Sequence, residues 1–226
     1  YDAISGDLEV AHCNNTSCSS AEINSVDTTV DVGQYSAIAI GNDGLPLISY
    51  YDSTNFDLKV AHCSNVICSA TDSVEIIDSI GDVGKQTSIA IGIDGRGLIS
   101  YYDASNKDLK VAHCENVSCT TATITGVATS GGVGAWNSVT IGADGLGIIS
   151  YYDEFNGVLN VAHCVNIACT EATSNVVDSS AVVGVHTAIT IGADGLPLVI
   201  YHDVTSANLK GLHCSNTACV PHARKR

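Results

Sequence analysis

The chain has 226 residues, 45% of them hydrophobic, and carries 24 acidic against nine basic side chains, a formal charge of −15. So acidic a surface repels phosphate backbones and anionic bilayers, which excludes nucleic acid as a partner and disfavours membrane surfaces. No apolar run approaches the roughly twenty residues that a helical membrane span requires.

Taken from its start, the chain opens inside a repeated motif with no leader before Tyr1, so a processed N-terminus is expected. Residues Tyr1–Cys18 supply a strand-like run, LEVAHC, and a loop bounded by two cysteines; Ser19–Val30 reads as a polar rim strand. The full motif is clearest at Ser88–Cys119, SIAIGIDGRGLISYYDASNKDLKVAHCENVSC, with copies at Ser36–Cys68, Ser138–Cys169 and Ala188–Cys219. The leading cysteines, Cys13, Cys63, Cys114, Cys164 and Cys214, are spaced by 50, 51, 50 and 50 residues. A fixed period of this size marks a propeller or solenoid.

Within the Ser88 copy, SIAIG is a short β-branched run of the kind that forms a buried strand. Asp-Gly then makes a tight turn, because glycine accepts positive φ without a steric cost. GLISYYD is a second strand, ASNKD a polar turn and LKVAHC a third strand. TATITGVAT is a fourth, and SGGVGAWN reads as the loop into the next copy. No helical stripe or capping box interrupts this order. Four antiparallel strands in about 50 residues make one propeller blade. The prediction is an all-β, single-domain propeller over 1–226, with repeats at about 1–35, 36–87, 88–137, 138–187 and 188–226.

The ends are uneven. Inner-type strands occur four times and cysteine-bearing third strands five times. Three closures are open: four blades, with Ser19–Val30 completing the last; five blades with one incomplete; or spare strands that pair with a neighbouring molecule.

The ten cysteines form five C-x4-C pairs: Cys13/Cys18, Cys63/Cys68, Cys114/Cys119, Cys164/Cys169 and Cys214/Cys219. Even number and regular spacing predict five disulfides and an oxidising, extracellular or cell-surface location. Neighbours such as His113 and Cys114 point to opposite faces of a strand, which disfavours a shared metal. The repeated histidines, and the Tyr-Tyr-Asp pairs Tyr50/Tyr51, Tyr101/Tyr102 and Tyr151/Tyr152, read as packing between blades. Sequons at Asn14, Asn15 and Asn116 fall in the disulfide loops, and the basic tip Arg224–Arg226 reads as a solvated tail.

Topology puts the second-to-third turns and the loops feeding the inner strands on one face. That face carries Asp52, Asn55, Asp103, Asn106, Asp153, Asn156 and Asp203, and four strongly varying positions, Tyr35, Gln86, Trp136 and His186. Aromatic rings beside carboxylates and amides suit sugars, whose C–H faces stack while their hydroxyls hydrogen-bond. The Asp and Asn residues also serve as turn formers. No cofactor is required; the one candidate is Ca²⁺ on Asp103, Asn106 and Asp108, a spacing unlike an EF-hand. There is no G-x-S-x-G, H-E-x-x-H or phosphate-binding glycine loop. The carboxylates are copied in similar surroundings, so nothing separates an acid from a base, and a propeller without catalytic activity is expected.

The inner strand, D-G turn, Y-Y-D strand end and disulfide-closed hairpin together resemble the blades of secreted, repetitive β-propellers. The period is similar to that of five-bladed tachylectin-like lectins, a resemblance that implies one sugar site per blade on one face. Two functions follow. One is a non-enzymatic binding or adhesion module for a glycan or cell-surface protein. The other is a structural subunit that forms a homopolymer by strand exchange through its incomplete terminal repeats.

Overall fold

Each repeat folds by the same local chemistry. In the computed structural model, which describes residues 1–221, the chain forms 17 strands in five antiparallel sheets. The first sheet pairs β1 (Leu8–Cys13) with β2 (Ala21–Asp27). Three four-stranded sheets follow: β3 (Val32–Ile40) to β6 (Thr71–Asp78), β7 (Val83–Ile91) to β10 (Ala122–Ala128), and β11 (Val133–Ile141) to β14 (Ala172–Asp178). The fifth contains β15 (Val183–Ile191), β16 (Pro197–Asp203) and β17 (Asn208–His213). The repeated four-stranded blade is a β-propeller, as the period predicts.

The closure in which Ser19–Val30 completes the last blade does not occur. β2 hydrogen-bonds to β1, with Cys13 opposite Ala21 and Val10 opposite Asn24, so the sheets number five and the first and last are partial. The consequence is visible in burial. Ile38 on β3 is 54% exposed, whereas its counterparts Val139 and Ile189 are 6% and 8% exposed under the preceding sheet. At the far end Leu198 is 37% exposed, while its counterparts Leu47, Leu98 and Ile148 are fully covered. The tip Arg224–Arg226 lies outside the described residues.

All five C-x4-C pairs are disulfides, with Cα–Cα separations of 4.8–5.0 Å. Those in the second to fifth sheets are buried, and each packs on apolar side chains of the sheet before it. Cys114 and Cys119, for example, join Leu47, Leu58 and Val60. The cystines are therefore part of the inter-blade core as well as clamps on a loop. Tyr50 lies in the gap behind its sheet, with its hydroxyl donating to Asp27 at 2.6 Å; Tyr51 points forward and donates to Asp82 at 2.8 Å. One ring thus fills each side of the blade.

The two faces sort as the topology requires. Second-to-third turns bond to the incoming loops, Ser53 N–H to Asp31 O at 3.0 Å and Glu154 N–H to Gly132 O at 2.8 Å. On the opposite face the third-strand histidines meet the carboxylates of the D-G turns, His62 to Asp43 at 2.9 Å and His163 to Asp144 at 2.8 Å. Of the sequons, Asn116 spends its amide inside its loop, donating to Thr120 Oγ1 at 2.7 Å.

Candidate functional site

The four varying positions are built by one device. Each inner strand begins with Val-Gly: Val32-Gly33, Val83-Gly84, Val133-Gly134 and Val183-Gly184. These glycines have φ of +96° to +105°, and a Cβ on Gly134 would stand 2.6 Å from the Leu109 Cα. The strand therefore presses on the previous blade at a point only glycine permits. Two residues later the chain turns left-handed at Tyr35 (φ 53°), Gln86 (54°), Trp136 (55°) and His186 (53°). Register breaks at the same place: Ala135 faces Tyr152 and Ser138 faces Ser150, so Trp136 and Asn137 share the span opposite one residue. This is a β-bulge, which re-aims a side chain out of the ladder.

Residues placed by sequence in a loop thus lie inside the inner strands, which begin four or five residues upstream of the starts read at Ser36, Ser88, Ser138 and Ala188. All four project into one depression of about 350 Å³, with Ser36, Thr87, Asn137 and Thr187 beneath them. Trp136 and His186 touch, their ring centroids 3.8 Å apart, and the Trp136 backbone N–H donates to Gln86 Oε1 at 2.5 Å. Tyr35 leans on Tyr51, centroids 6.1 Å apart. The floor is fixed from the preceding blade: Ser100 Oγ donates to Asn137 Oδ1 at 2.5 Å, Thr187 Oγ1 to Ser150 Oγ at 2.8 Å, and Thr87 bonds Ser49. Four left-handed residues cost about 1–2 kcal/mol each, and strain of this kind gathers where side-chain direction matters.

The Asp and Asn candidates belong elsewhere. Asp52, Asp103, Asp153 and Asp203 are buried, and each closes its own turn. Asp52 accepts from the Asn55 N–H and Nδ2, both at 3.0 Å. Asp103 accepts likewise from Asn106, and Asp153 from Asn156; Asp203 accepts from the Ser206 N–H. None lines the axial depression. In the Ca²⁺ candidate the Asn106 amide nitrogen, a donor, faces the Asp103 carboxylate, and that geometry binds the turn to itself. Among the described residues, no three His, Cys, Asp or Glu side chains are grouped to hold a metal ion.

A set that sequence reasoning missed lies between the blades. At three junctions a carboxylate, a tyrosine and a lysine converge: Asp27, Tyr50 and Lys59; Asp78, Tyr101 and Lys110; Asp178, Tyr201 and Lys210. Lys59 Nζ sits 2.5 Å from Asp27 and 5.6 Å from the Tyr50 ring centre. The signal was present as an Asp ending three of the fourth strands, visible only once the blades are aligned.

These surroundings separate the carboxylates. Burial pushes Asp27 up, but hydrogen bonds from Lys59, Tyr50 and Thr29 outweigh it and hold it below the usual range. Asp178 is lowered in the same way by Tyr201, Ser180 and Lys210. Asp57 and Asp108 go up, first through burial and then through repulsion from Asp52 and Asp103. Copies of one position thus shift alike, while the two positions shift in opposite directions.

No protein-family model matches the sequence, and no curated protein matches it. Solved structures do. The chain is similar to an α-L-arabinofuranosidase from Lactobacillus brevis, with a TM-score of 0.53 and 11% identity over 92% of this chain and 83% of that one. An exo-β-1,3-galactanase from Phanerochaete chrysosporium gives 0.56 at 10% identity, covering 93% of this chain and 52% of the other. A leech intramolecular trans-sialidase gives 0.60 at 14% identity, covering 89% and 35%. The chain thus spans about half and about a third of the latter two. At such identity the likeness is one of fold, and these are β-propeller glycosidases and sialidases. The expectation of a propeller without catalytic activity is corrected: the solved structures that share this fold are glycosidases and sialidases.

Proposed function

We propose that this propeller recognises carbohydrate at the mouth of its axis, through Trp136, His186, Tyr35 and Gln86. One observation carries the reading: four strongly varying positions, one from each full repeat, converge on one depression, each in the same strained backbone conformation. Packing alone would favour glycine at all four. Two rings in tilted contact, an amide and a phenol around a polar floor offer an apolar face and fixed hydrogen-bonding groups, the combination a pyranose requires. The carbohydrate-active propellers similar in fold support the ligand class. Five disulfides support a location outside the cell, where a surface glycan is a natural ligand. The test is a glycan array probed with wild type and Trp136→Ala. Signals that vanish in the variant support the reading; signals that persist overturn it. Analysis of sugars released from a bound glycan reads turnover in the same experiment.

A second reading, self-assembly through the end sheets, is supported by the apolar side chains Ile38 and Ile40 on β3 and Leu198 and Ile200 on β16, all exposed. Among the described residues β1 pairs only with β2, and β17 only with β16, leaving one edge of each free. Light scattering behind size exclusion over a wide concentration range tests it. Mass that grows with concentration, and stops growing in Ile38→Lys/Ile40→Lys, supports assembly; constant mass overturns it.

A further inference from the structure

One junction between blades breaks the pattern of the other three. By register, Ala128 faces Leu109 as Asp27 faces Leu8, Asp78 faces Leu58 and Asp178 faces Leu159. Asn160 faces Tyr151 as Lys59 faces Tyr50, Lys110 faces Tyr101 and Lys210 faces Tyr201. Between the third and fourth sheets both ends of the ion pair are therefore gone, while Tyr151 and Asp153 remain. The space they leave is an open pocket of about 490 Å³.

What lines the pocket decides what fits it. Tyr151, Asp153 and Asn160 are 3%, 7% and 6% exposed, so three polar groups sit nine-tenths buried in its wall. Ser130 and Ser174 add hydroxyls, Ala128 marks the missing carboxylate, and no lining residue is cationic. At the sister junctions an alkylammonium occupies the equivalent place. Lys210 Nζ is 2.8 Å from Asp203, and Lys59 and Lys110 lie 4.0 and 3.9 Å from Asp52 and Asp103. Asp52 and Asp103 hold these lysines nearby while still bonded to Asn55 and Asn106, so the Asp153–Asn156 bond leaves room for a cation. Lys59 and Lys110 also lie 5.6 and 5.7 Å from the tyrosine ring centres, a cation–π distance. Each sister junction combines two carboxylates with one ammonium; here a single carboxylate stands without a countercharge.

We propose that the pocket between the third and fourth sheets binds a small primary amine, whose ammonium takes the place the lysine holds at the other junctions. It hydrogen-bonds to Asp153 and lies over Tyr151, and its carbon frame fills the volume vacated by the Ala128 and Asn160 replacements. The chemistry is shared by an amino sugar and a simple alkylamine. This site is separate from the axial depression: no residue lines both.

The experiment is a titration of the intact protein, followed by amide chemical shifts, with n-butylamine, glucosamine and the uncharged N-acetylglucosamine. Saturable shifts centred on Tyr151 and Asn160 with n-butylamine or glucosamine support the proposal, and whichever amine binds names the source. Ala128→Asp/Asn160→Lys rebuilds the sister triad in the pocket and is expected to weaken amine binding by about tenfold or more. Ala128→Leu fills the same space without charge and serves if the double variant fails to fold. Absence of saturable shifts with both amines overturns the proposal, as does undiminished binding by the filled variants. N-acetylglucosamine binding as tightly as glucosamine also overturns it, since the ammonium would then contribute nothing.

Discussion

The indole of Trp136 and the imidazole of His186 meet with centroids 3.8 Å apart and planes inclined at 50°. They come from consecutive blades, 50 residues apart in the chain, and each stands at a left-handed residue inside an inner strand. The contact exists because a Val-Gly step and a bulge aim both side chains toward the axis instead of into the ladder.

Function and stability should therefore separate at these positions. Trp136→Gly removes the ring and relieves a conformation that costs a non-glycine residue about 1–2 kcal/mol. The expected variant loses glycan binding and keeps or raises its melting temperature. Calorimetry beside a binding assay checks this, and a sharply lowered melting temperature would show that the ring is a packing element.

The preceding glycine should behave in the opposite way. Gly134→Ala puts a Cβ 2.6 Å from the Leu109 backbone at φ +97°; strain and overpacking together should cost about 2–5 kcal/mol. Gly131→Ala, also left-handed but with nothing within 4 Å, should cost only about 1–2 kcal/mol. Chemical denaturation of the two variants compares them directly.

Much of this fold was legible before any coordinates. The period, the D-G turns, the strand order and the cystines all follow from short-range patterns, because each blade repeats the same local solution. The site was legible only in part. Variation at Tyr35, Gln86, Trp136 and His186 marked them, but the glycines around them imitated a loop, and a bulge depends on cross-strand register that one strand does not encode. Asp52, Asp103 and Asp153 kept two readings, ligand and turn former, because a turn-closing carboxylate and a ligand carboxylate look alike in sequence; the turn bonds to Asn55, Asn106 and Asn156 bear out the second. The Asp–Tyr–Lys triads span two repeats, so no window of one repeat contains them.

The triads yield a test of coupling. Lys59 and Asp27 are both nearly excluded from water, with side chains 9% and 5% exposed. Removing one partner leaves a buried charge, and Lys59→Ala alone should cost about 3–5 kcal/mol. In the next junction, Asp78→Ala/Lys110→Asn reproduces the arrangement already present at Ala128 and Asn160. The double variant should be less destabilised than the sum of its single changes, as denaturation midpoints in a double-mutant cycle will show.

Those junctions also set the pH limits. Burial, reinforced by Asp27, Asp78 and Asp178, raises the hydroxyls of Tyr50, Tyr101 and Tyr201 far above their ordinary value of 10.0. A group raised on folding contributes stability that is complete below its unfolded value and lost as pH climbs past it. Asp27 and Asp178 are lowered, so their contribution is complete above the usual carboxylate range and lost as pH falls through it. In an alkaline titration, tyrosinate absorbance from Tyr50 and Tyr101 should appear only together with unfolding. Smooth ionisation of all nine tyrosines in a folded protein would contradict the triads.

The axial depression is the proposed carbohydrate site, and the chain carries its own reporter there, since Trp136 is its sole tryptophan. The most direct measurement is Trp136 fluorescence during titration with a glycan that the protein captures from an array. A saturable change in emission, with the same midpoint as binding measured by calorimetry, is the predicted result. Calorimetric binding of that glycan with Trp136 emission unchanged would place the ligand elsewhere and contradict the account.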